Sequence, residues 1–410
     1  MAKEVACIDI GTTKISVITL RITGEGPVIS GLETVPSKGI RKGQIIDMES
    51  VSDSIVRAFS NLSHNLIDYI IAGISGNSIS IMESYGVTGI GGRRVVEKDI
   101  ENAIRFASSV YIPVDRELLH ILPVEYSVDG ESGIKNPLGM RGYRLEAKVQ
   151  IITASLSQVD NLRECFKRAG LRVDEFIFSP IAISRVVLKE DEMEEGVMLL
   201  DIGGGTTDIA IFKDKKISYF TTLPVGGNHI TNDLAIGLKV NLQEAERIKT
   251  KYGSALLRDL EEYIEIDLSR SKRYVSTRNI DEIIYPRCEE IVSLIKKELS
   301  KVPETDRAIN GAVLTGGSAL LDGMDRLFES IMGMPVRIGY PSKALFTNNK
   351  LDSPTLSVVA GLYAMAAERF VKSSKAPSLK GAIIEKIKAI ISGHKMKFID
   401  FFPDYLKRGA

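Results

Sequence analysis

The sequence has few cysteines and histidines, and neither is arranged for metal or disulfide chemistry. Its 410 residues include three cysteines, at the scattered positions Cys7, Cys165 and Cys288. An odd, scattered set argues against a disulfide framework or a zinc site and is typical of a protein in a reducing cytosol. The four histidines show no ligand spacing.

The chain also lacks net charge and long apolar runs. Lys and Arg number 53, as do Asp and Glu, so we expect no nucleic-acid partner. The longest apolar stretch, residues 356–367, is too short for a membrane span, and the first residues lead into a predicted strand without a signal peptide. The even balance hides a basic end, because residues 372–410 hold nine basic and three acidic side chains.

One motif occurs twice. It reads DIGTT at residues 9–13 and DIGGGTTD at residues 201–208, each time between two apolar runs, which predicts strand, tight turn, strand. Glycines allow close approach of a ligand, hydroxyls and backbone amides suit phosphate oxygens, and the aspartates suit Mg²⁺, usually through water. A single copy is also compatible with an ordinary glycine-rich hairpin, but the repeat favours two related half-molecules.

Periodicity and turn signals give a coarse map of the remaining elements. An α+β insertion follows the first block, with a glycine-rich hairpin at 88–92 and strands at 119–126 and 145–153. The predicted helices are 48–62, 98–108, 230–236, 243–252, two segments around 281–300, one from Met324, and 354–369. At this length we expect two or more domains.

The pattern resembles the superfamily of actin, heat-shock chaperone and sugar-kinase ATPases. Its five signatures match, in order, residues 9–14, 179–187, 201–208, 314–318 and 355–367. Within it, the chain resembles the FtsA family of bacterial cell-division proteins. That closer resemblance rests on residues 37–43, 136–146, 224–235 and 244–249, and it extends over nearly the whole chain from Val5 to Ala367.

The resemblance implies an α/β, actin-like ATPase fold with two related lobes around a nucleotide cleft and a small α+β insertion of the FtsA type in the N-terminal lobe. The domains that it implies are 1–82 with 166–198 and 353–371 (core of the first lobe), 83–165 (insertion), 199–229 with 305–352 (core of the second lobe), 230–304 (outer subdomain), 372–379 (linker) and 380–410 (amphipathic tail).

The resemblance also implies a site for ATP and Mg²⁺. The metal would be faced by Asp9, Asp201 and Asp208. The phosphates would be bound by Gly11, Thr12, Thr13, Gly203, Gly204, Gly205, Thr206 and Thr207. Lys14 would either reach a phosphate or be a solvated hairpin lysine. Gly226, Gly227 and Asn228 would face the nucleotide at a helix N-terminus, where anions are favoured, and Gly316, Gly317 and Ser318 would form a shelf for adenine. Glu246 and Lys249, three apart on one helix, would either bind the ribose or form a surface ion pair.

One residue departs from the superfamily pattern. Where actin and the chaperones carry a Gln or Glu that positions the attacking water, this chain has Ser179 before Pro180. Serine is too short and too weak a base for that role. We therefore expect ATP binding with weak or absent hydrolysis, as the FtsA resemblance implies, and no catalytic residue.

The basic end of the chain has an amphipathic pattern. One helical face would carry Ile383, Ile384, Ile387, Ile390 and Ile391, with lysines beside it, and an aromatic cluster follows at 396–408. A basic apolar face predicts a helix at an anionic membrane surface; the alternative is a helix packed on the protein's own core. Either half, 380–392 or 396–408, is a candidate for insertion.

The resemblance implies a protein at the cytoplasmic face of the inner membrane, at the division site, that polymerises into actin-like filaments. It would bind the C-terminal peptide of FtsZ through 230–304, anchor FtsZ filaments to the membrane, and recruit later division proteins through 83–165. The alternatives are a pilus-assembly actin-like ATP-binding scaffold and a sugar kinase or chaperone-type ATPase.

Overall fold

The computed structural model describes residues 3–23, 26–62, 67–259, 262–268, 272–303, 309–342 and 351–374. Its strands are β1 Lys3–Ile10, β2 Lys14–Thr23, β3 Gly26–Pro36, β4 Ile40–Arg41, β5 Gln44–Ile45, β6 Tyr69–Ile74, β7 Ser80–Gly89, β8 Arg116–Val128, β9 Glu131–Ile134, β10 Arg144–Ser155, β11 Glu175–Phe178, β12 Val197–Ile202, β13 Thr207–Lys213, β14 Lys216–Leu223, β15 Tyr263–Asp267, β16 Lys272–Ser276, β17 Ala312–Thr315 and β18 Val336–Ile338. Its α-helices are α1 Met48–Ser60, α2 Glu97–Ser108, α3 Leu156–Arg168, α4 Ser179–Val187, α5 Glu190–Glu195, α6 Gly227–Leu238, α7 Leu242–Tyr252, α8 Thr277–Leu299, α9 Met324–Met332 and α10 Ser357–Ser374.

These residues form two compact units. The first comprises the described residues within Lys3–Asn77, Cys165–Asp174 and Ser179–Glu368, and the second comprises those within Ser78–Glu164, Glu175–Phe178 and Arg369–Ser374. The finer division into four subdomains stays a prediction.

The first unit contains two sheets of the same design. In one, the antiparallel strands β1, β2 and β3 follow each other and β6 lies parallel beside β1. In the other, β12, β13 and β14 follow each other and β17 lies parallel beside β12. The repeated motif joins the first two strands of each sheet, so the predicted relation between the half-molecules is confirmed.

Apolar faces of helices cover these sheets. Helix α1 starts at Asp47, whose side chain accepts a hydrogen bond from Glu49 N, and buries Val51, Ile55 and Ala58 along one face. Beside the second sheet, α6, α7 and α8 contribute to one core cluster that includes Ile230, Leu234, Ile248, Ile284 and Ile291.

The prediction of two helical segments around 281–300 was wrong. Residues 277–299 form a single helix with Pro286 inside it, capped by Ser276. Ile280, Ile284, Cys288, Ile291 and Ile295 are all fully buried. Because this apolar stripe runs without interruption past the proline, burial outweighs the one backbone hydrogen bond that proline removes.

Helix α10 also differs from its predicted span. It continues to Ser374, five residues beyond the predicted end, and takes in the start of the predicted linker 372–379. The rest of that linker and the whole tail, 380–410, lie outside the described residues. Among the described helices, none is both long and apolar enough to cross a membrane.

The second unit carries the predicted α+β insertion. Its four-stranded antiparallel sheet has the order β7-β10-β8-β9, and α2 packs on it through Ala103, Ile104 and Ala107. The contact is close: a β-carbon built on Gly86 of β7 would lie 2.0 Å from the carbonyl oxygen of Ala103.

A similar close approach joins α10 to α4 and gives a testable prediction. A β-carbon on Gly361 would lie 2.0 Å from the carbonyl oxygen of Ala182, and backbone cannot move aside as a flexible side chain does. We expect Gly361→Ala to lower the free energy of unfolding by about 3 kcal/mol, the upper part of the range for overpacking. The measurement is urea denaturation followed by circular dichroism.

The matched control is Gly89→Ala, because a β-carbon at Gly89 meets nothing within 4 Å. Equal stability of the two variants would contradict the close packing of α10 on α4.

Candidate functional site

The two repeated turns have the same backbone geometry. In the first, Gly11 N donates to the carbonyl of Lys14 at 2.9 Å, and in the second Gly203 N donates to the carbonyl of Thr206 at 2.9 Å. The closing strand pairs are Ile10 with Ile15 and Ile202 with Thr207. Lys14 therefore occupies the position that Thr206 occupies in the other hairpin.

The tips of these hairpins lie against each other. A β-carbon on Gly204 would lie 2.3 Å from Thr13 Cγ2, and one on Gly205 would lie 2.6 Å from Thr12 Oγ1. Only glycine allows the threonines of the first tip to lie so close to the second tip. The structure thus brings the two glycine- and threonine-rich tips together.

The three predicted aspartates also come together. Asp201 lies directly opposite Asp208 in the β12–β13 register, and Asp9 is the next-to-last residue of β1 in the other hairpin. Burial raises the pKa of Asp9 to about 6; Lys14 opposes this rise and Asp208 adds to it. Burial also raises the pKa of Asp201 to about 8, and repulsion from Asp208 and Asp9 adds to the rise.

Asp208 is the most enclosed of the three. It is 8% exposed, and its Oδ1 accepts a hydrogen bond from Thr222 Oγ1 at 2.6 Å. Burial raises its pKa, whereas hydrogen bonds from Ser75 and Thr222 lower it. Sequence reasoning missed both hydroxyls. Thr222 lies on the neighbouring strand β14 and Ser75 follows β6 of the other sheet, and no sequence motif marks either as a partner of Asp208.

Lys14 is held inside the site rather than solvated. Its ammonium donates a hydrogen bond to the carbonyl of Thr355. Burial lowers its pKa, and attraction to Asp9 and Asp201 opposes that shift. Lys14 is attracted to two of the three carboxylates, so its one positive charge leaves excess negative charge on this cluster whenever all three are ionised.

The turn before α6 packs on the second hairpin. Gly227 N donates to the carbonyl of Gly203 at 2.9 Å, and Asn228 N donates to that of Gly204 at 2.7 Å. A β-carbon on Gly226 would lie 2.5 Å from the Gly203 oxygen. These two amides are engaged within the protein, which differs from the expectation that they point at a ligand.

Glu246 and Lys249 form an ion pair at 2.7 Å. Lys249 is buried, and its ammonium also donates to Thr231 Oγ1 at 2.9 Å and to the carbonyl of Gly227 at 3.3 Å. The pair therefore connects α7 to the first turn of α6, beside the hairpin, and is not an ordinary surface pair.

The loop after β17 approaches the same hairpin. Gly316 adopts a positive φ of 85°, and a β-carbon there would lie 2.4 Å from Asp201 Oδ1. Ser318 Oγ donates to the carbonyl of Gly203 at 3.0 Å, whereas a β-carbon on Gly317 would have only Thr355 Cγ2 within 4 Å. Gly317 is thus the open position of the predicted shelf.

Two further predictions concern metal and catalysis. Among the residues that the structure describes, no three carboxylate, histidine or cysteine side chains are grouped closely enough to hold a metal directly. Contact of Mg²⁺ with the aspartates through water stays a prediction. Ser179 is buried at the start of α4, and its Oγ would lie 3.1 Å from a β-carbon built on Gly73.

Three solved structures show which known fold this chain shares. The type IV pilus PilM–PilN complex matches with a TM-score of 0.60 and 17% identity, covering 88% of this chain and 97% of that one. MreB 5 of Spiroplasma citri bound to AMPPNP matches with a TM-score of 0.57 and 16% identity, covering 91% of this chain and 98% of that one. The MamK double helical filament matches with a TM-score of 0.52 and 14% identity, covering 92% of this chain and 100% of that one. The class is therefore the actin-like ATPase fold, as predicted.

Sequence relatives narrow the class to a family. A family model for cell division protein FtsA matches residues 198–361, and one for the SHS2 domain inserted in FtsA matches 76–153. FtsA of Pseudomonas aeruginosa is 36% identical over 411 residues, covering 96% of this chain and 98% of that protein. FtsA of Escherichia coli K12 is 33% identical over 375 residues, covering 88% and 89%. The chain belongs to the FtsA family of actin-like cell division proteins.

Proposed function

We propose that this protein binds ATP with Mg²⁺ between its two hairpins and uses the bound form to attach FtsZ filaments to the membrane. The observation that carries the proposal is the meeting of two glycine- and threonine-rich tips beside three carboxylates, in a chain of the FtsA family. One relative in fold supports the nucleotide, because MreB 5 of Spiroplasma citri was solved both with AMPPNP and with ADP.

Each part of the site has a proposed role. The phosphates contact the two hairpins through Gly11, Thr12, Thr13, Gly203, Gly204, Gly205, Thr206 and Thr207, with Lys14 as a point charge. Glu246 and Lys249 bind the ribose, and Gly316, Gly317 and Ser318 lie under adenine. Gly226, Gly227 and Asn228 lie beside the nucleotide, but the amides of Gly227 and Asn228 donate to the second hairpin and not to the ligand.

The carboxylates fit a divalent cation. Burial raises the pKa of all three, although Lys14 opposes the rise at Asp9 and Asp201. Oxygen ligands, directly or through water, are what Mg²⁺ prefers. Bound Mg²⁺ would neutralise charge on the polyphosphate, while Asp9, Asp201 and Asp208 orient its water shell. Because Ser179 offers no base for a water, we expect steady-state turnover below about 1 s⁻¹, the low end of ordinary enzyme rates.

We propose the outer subdomain, 230–304, as the docking site for the FtsZ C-terminal peptide. Ile236 on α6 is 76% exposed, and a β-carbon on the next residue, Gly237, would lie 2.7 Å from Ile283 of α8. Arg273 binds the carbonyl of Leu238 at 2.9 Å. This apolar position with a basic neighbour suits a peptide with apolar anchors and acidic groups.

The arginines of α8 divide into two kinds. Arg287 is partly buried and pairs with Asp233 at 2.6 Å, so its charge reversal would disturb the fold. Arg278 is exposed, and its Nε forms an ion pair of 3.3 Å with Glu282 Oε1. Arg278 is therefore the cleaner test of a peptide-binding role.

We expect Ile236→Glu and Arg278→Glu each to weaken binding of the FtsZ C-terminal peptide, Ile236→Glu by about tenfold or more, as for an interface hot spot. Fluorescence anisotropy with the labelled peptide measures the dissociation constants. Co-sedimentation of FtsZ polymers with vesicles, ATP and each variant tests anchoring directly.

Val56→Glu is the control, since Val56 is an exposed apolar residue on a helix of the first lobe. Unchanged peptide affinity in both outer-subdomain variants would move the site elsewhere.

The remaining parts of the proposal concern assembly and location. We propose self-association into actin-like filaments, which the filament formed by the fold relative MamK supports. The insertion, 83–165, would recruit later division proteins, and the tail would hold the protein at the cytoplasmic face of the inner membrane at the division site.

A further inference from the structure

The short hairpin of β4 and β5, residues 40–45, is basic and has no role in the site described above. Its turn residues Lys42 and Gly43 both have positive φ, 50° and 73°, which is the backbone of a type I′ turn. The side chains of Arg41 and Lys42 are exposed. Within the described residues neither makes a hydrogen bond or an ion pair, so both cations are available to a ligand.

The segment that carries this hairpin is tied to the first phosphate hairpin. Ser37 N donates to the carbonyl of Thr13 at 3.0 Å. The loop then closes on itself, because Ile46 N and Asp47 N both donate to the carbonyl of Gly39, at 2.8 and 3.2 Å. Asp47 in turn caps α1, so both ends of the basic hairpin are fixed.

The tip of the same hairpin reaches the second phosphate hairpin. A β-carbon on Gly43 would lie 3.1 Å from Thr206 Cγ2. Thr206 occupies the tip position that Lys14 occupies in the first hairpin. The basic turn therefore lies at the one predicted phosphate tip that has no lysine of its own.

We propose that Arg41 and Lys42 bind the terminal phosphate of the nucleotide and make the site select nucleoside triphosphate over diphosphate. This inference rests on the proposed ATP site. The charge balance favours this proposal. Lys14 already interacts with the carboxylates, so a polyphosphate beside Thr206 needs another cation. Hydrogen bonds from a cation to phosphate are stronger than those between neutral groups. A diphosphate lacks the group that these two cations contact.

The test compares ATP and ADP affinity in the full chain. We expect Arg41→Gln combined with Lys42→Gln to weaken Mg·ATP binding about tenfold, the loss of one charge-assisted contact or more, and to change Mg·ADP binding by about twofold or less. Lys239→Gln is the matched control, because Lys239 is exposed, has a positive φ of 56°, and ends α6 at the opposite end from the hairpins. It should leave both affinities unchanged.

A second measurement needs no variant. Acetylation of lysines by an amine-reactive ester, read by mass spectrometry on the wild-type protein, should be slowed at Lys42 by AMPPNP with Mg²⁺ but not by ADP, with Lys239 equally reactive throughout. Equal loss of ATP and ADP affinity, or equal reactivity of Lys42 in both states, overturns the inference while the ATP site stands. Absence of any nucleotide binding by the wild type overturns the proposed function as well.

Discussion

Asp201→Asn is expected to remove most of the Mg²⁺ dependence of ATP binding and to flatten its pH dependence. Burial and like charges hold the pKa of Asp201 at about 8 and that of Asp9 at about 6. Below these values the carboxyls are protonated and neutral, so a cation must displace their protons. In the wild type, Mg·ATP affinity should therefore rise with pH from about 6 to about 8 and level off above that range.

At pH 8 we expect Asp201→Asn to bind Mg·ATP about 10- to 100-fold more weakly than the wild type, which is the effect of removing a group that orients the ligands of a metal ion. Titration of fluorescent ATP with and without Mg²⁺, at several pH values, measures it. The titration of ATP itself is the same for both proteins, so the difference between their pH profiles reports on Asp201.

Asp53→Asn is the control, because Asp53 is an exposed carboxylate on α1. If Asp201→Asn binds Mg·ATP as tightly as the wild type at every pH, Asp201 does not belong to the site.

Removal of residues 380–410 should leave ATP binding intact and abolish flotation with anionic vesicles. Five isoleucines on one helical face would each contribute on the order of 1 kcal/mol after partial burial, against roughly 1.5–3 kcal/mol for full burial. Each lysine near an anionic surface would add about 1 kcal/mol. A single tail should thus bind reversibly, and a filament would convert weak binding into firm attachment by presenting many tails.

Point variants locate the inserting half of the tail. Ile387→Glu should nearly abolish flotation because it places a charge at the centre of the apolar face, whereas Ile387→Leu should retain it. If Ile387→Glu still floats while Phe401→Glu with Phe402→Glu does not, the aromatic half inserts. If Ile387→Glu and the double variant Phe401→Glu with Phe402→Glu both still float, the tail is not the membrane anchor.

Much of the fold could be predicted because its signals are local. The hairpins follow from apolar runs on both sides of a glycine turn, and α1 follows from Asp47 and a repeat of apolar residues. The single helix α8 could not be predicted, because Pro286 is a local break signal and only the core beneath it shows why the helix continues. The hairpin of β15 and β16 could not be predicted for a different reason. Its strands are only five residues long and carry charges of both signs, so they lack a clear apolar pattern.

The sequence by itself determined the two glycine-rich hairpins, the pairing of their strands and the family, because the signals for these are motifs of residues close together in the chain. Only the tertiary structure decided that Thr12 and Thr13 pack on Gly204 and Gly205. It also decided that Lys14 binds the carbonyl of Thr355, 341 positions away. The physical reason is that close packing and the pKa values of buried carboxyls depend on what surrounds a group in space, and distant parts of the chain supply those surroundings.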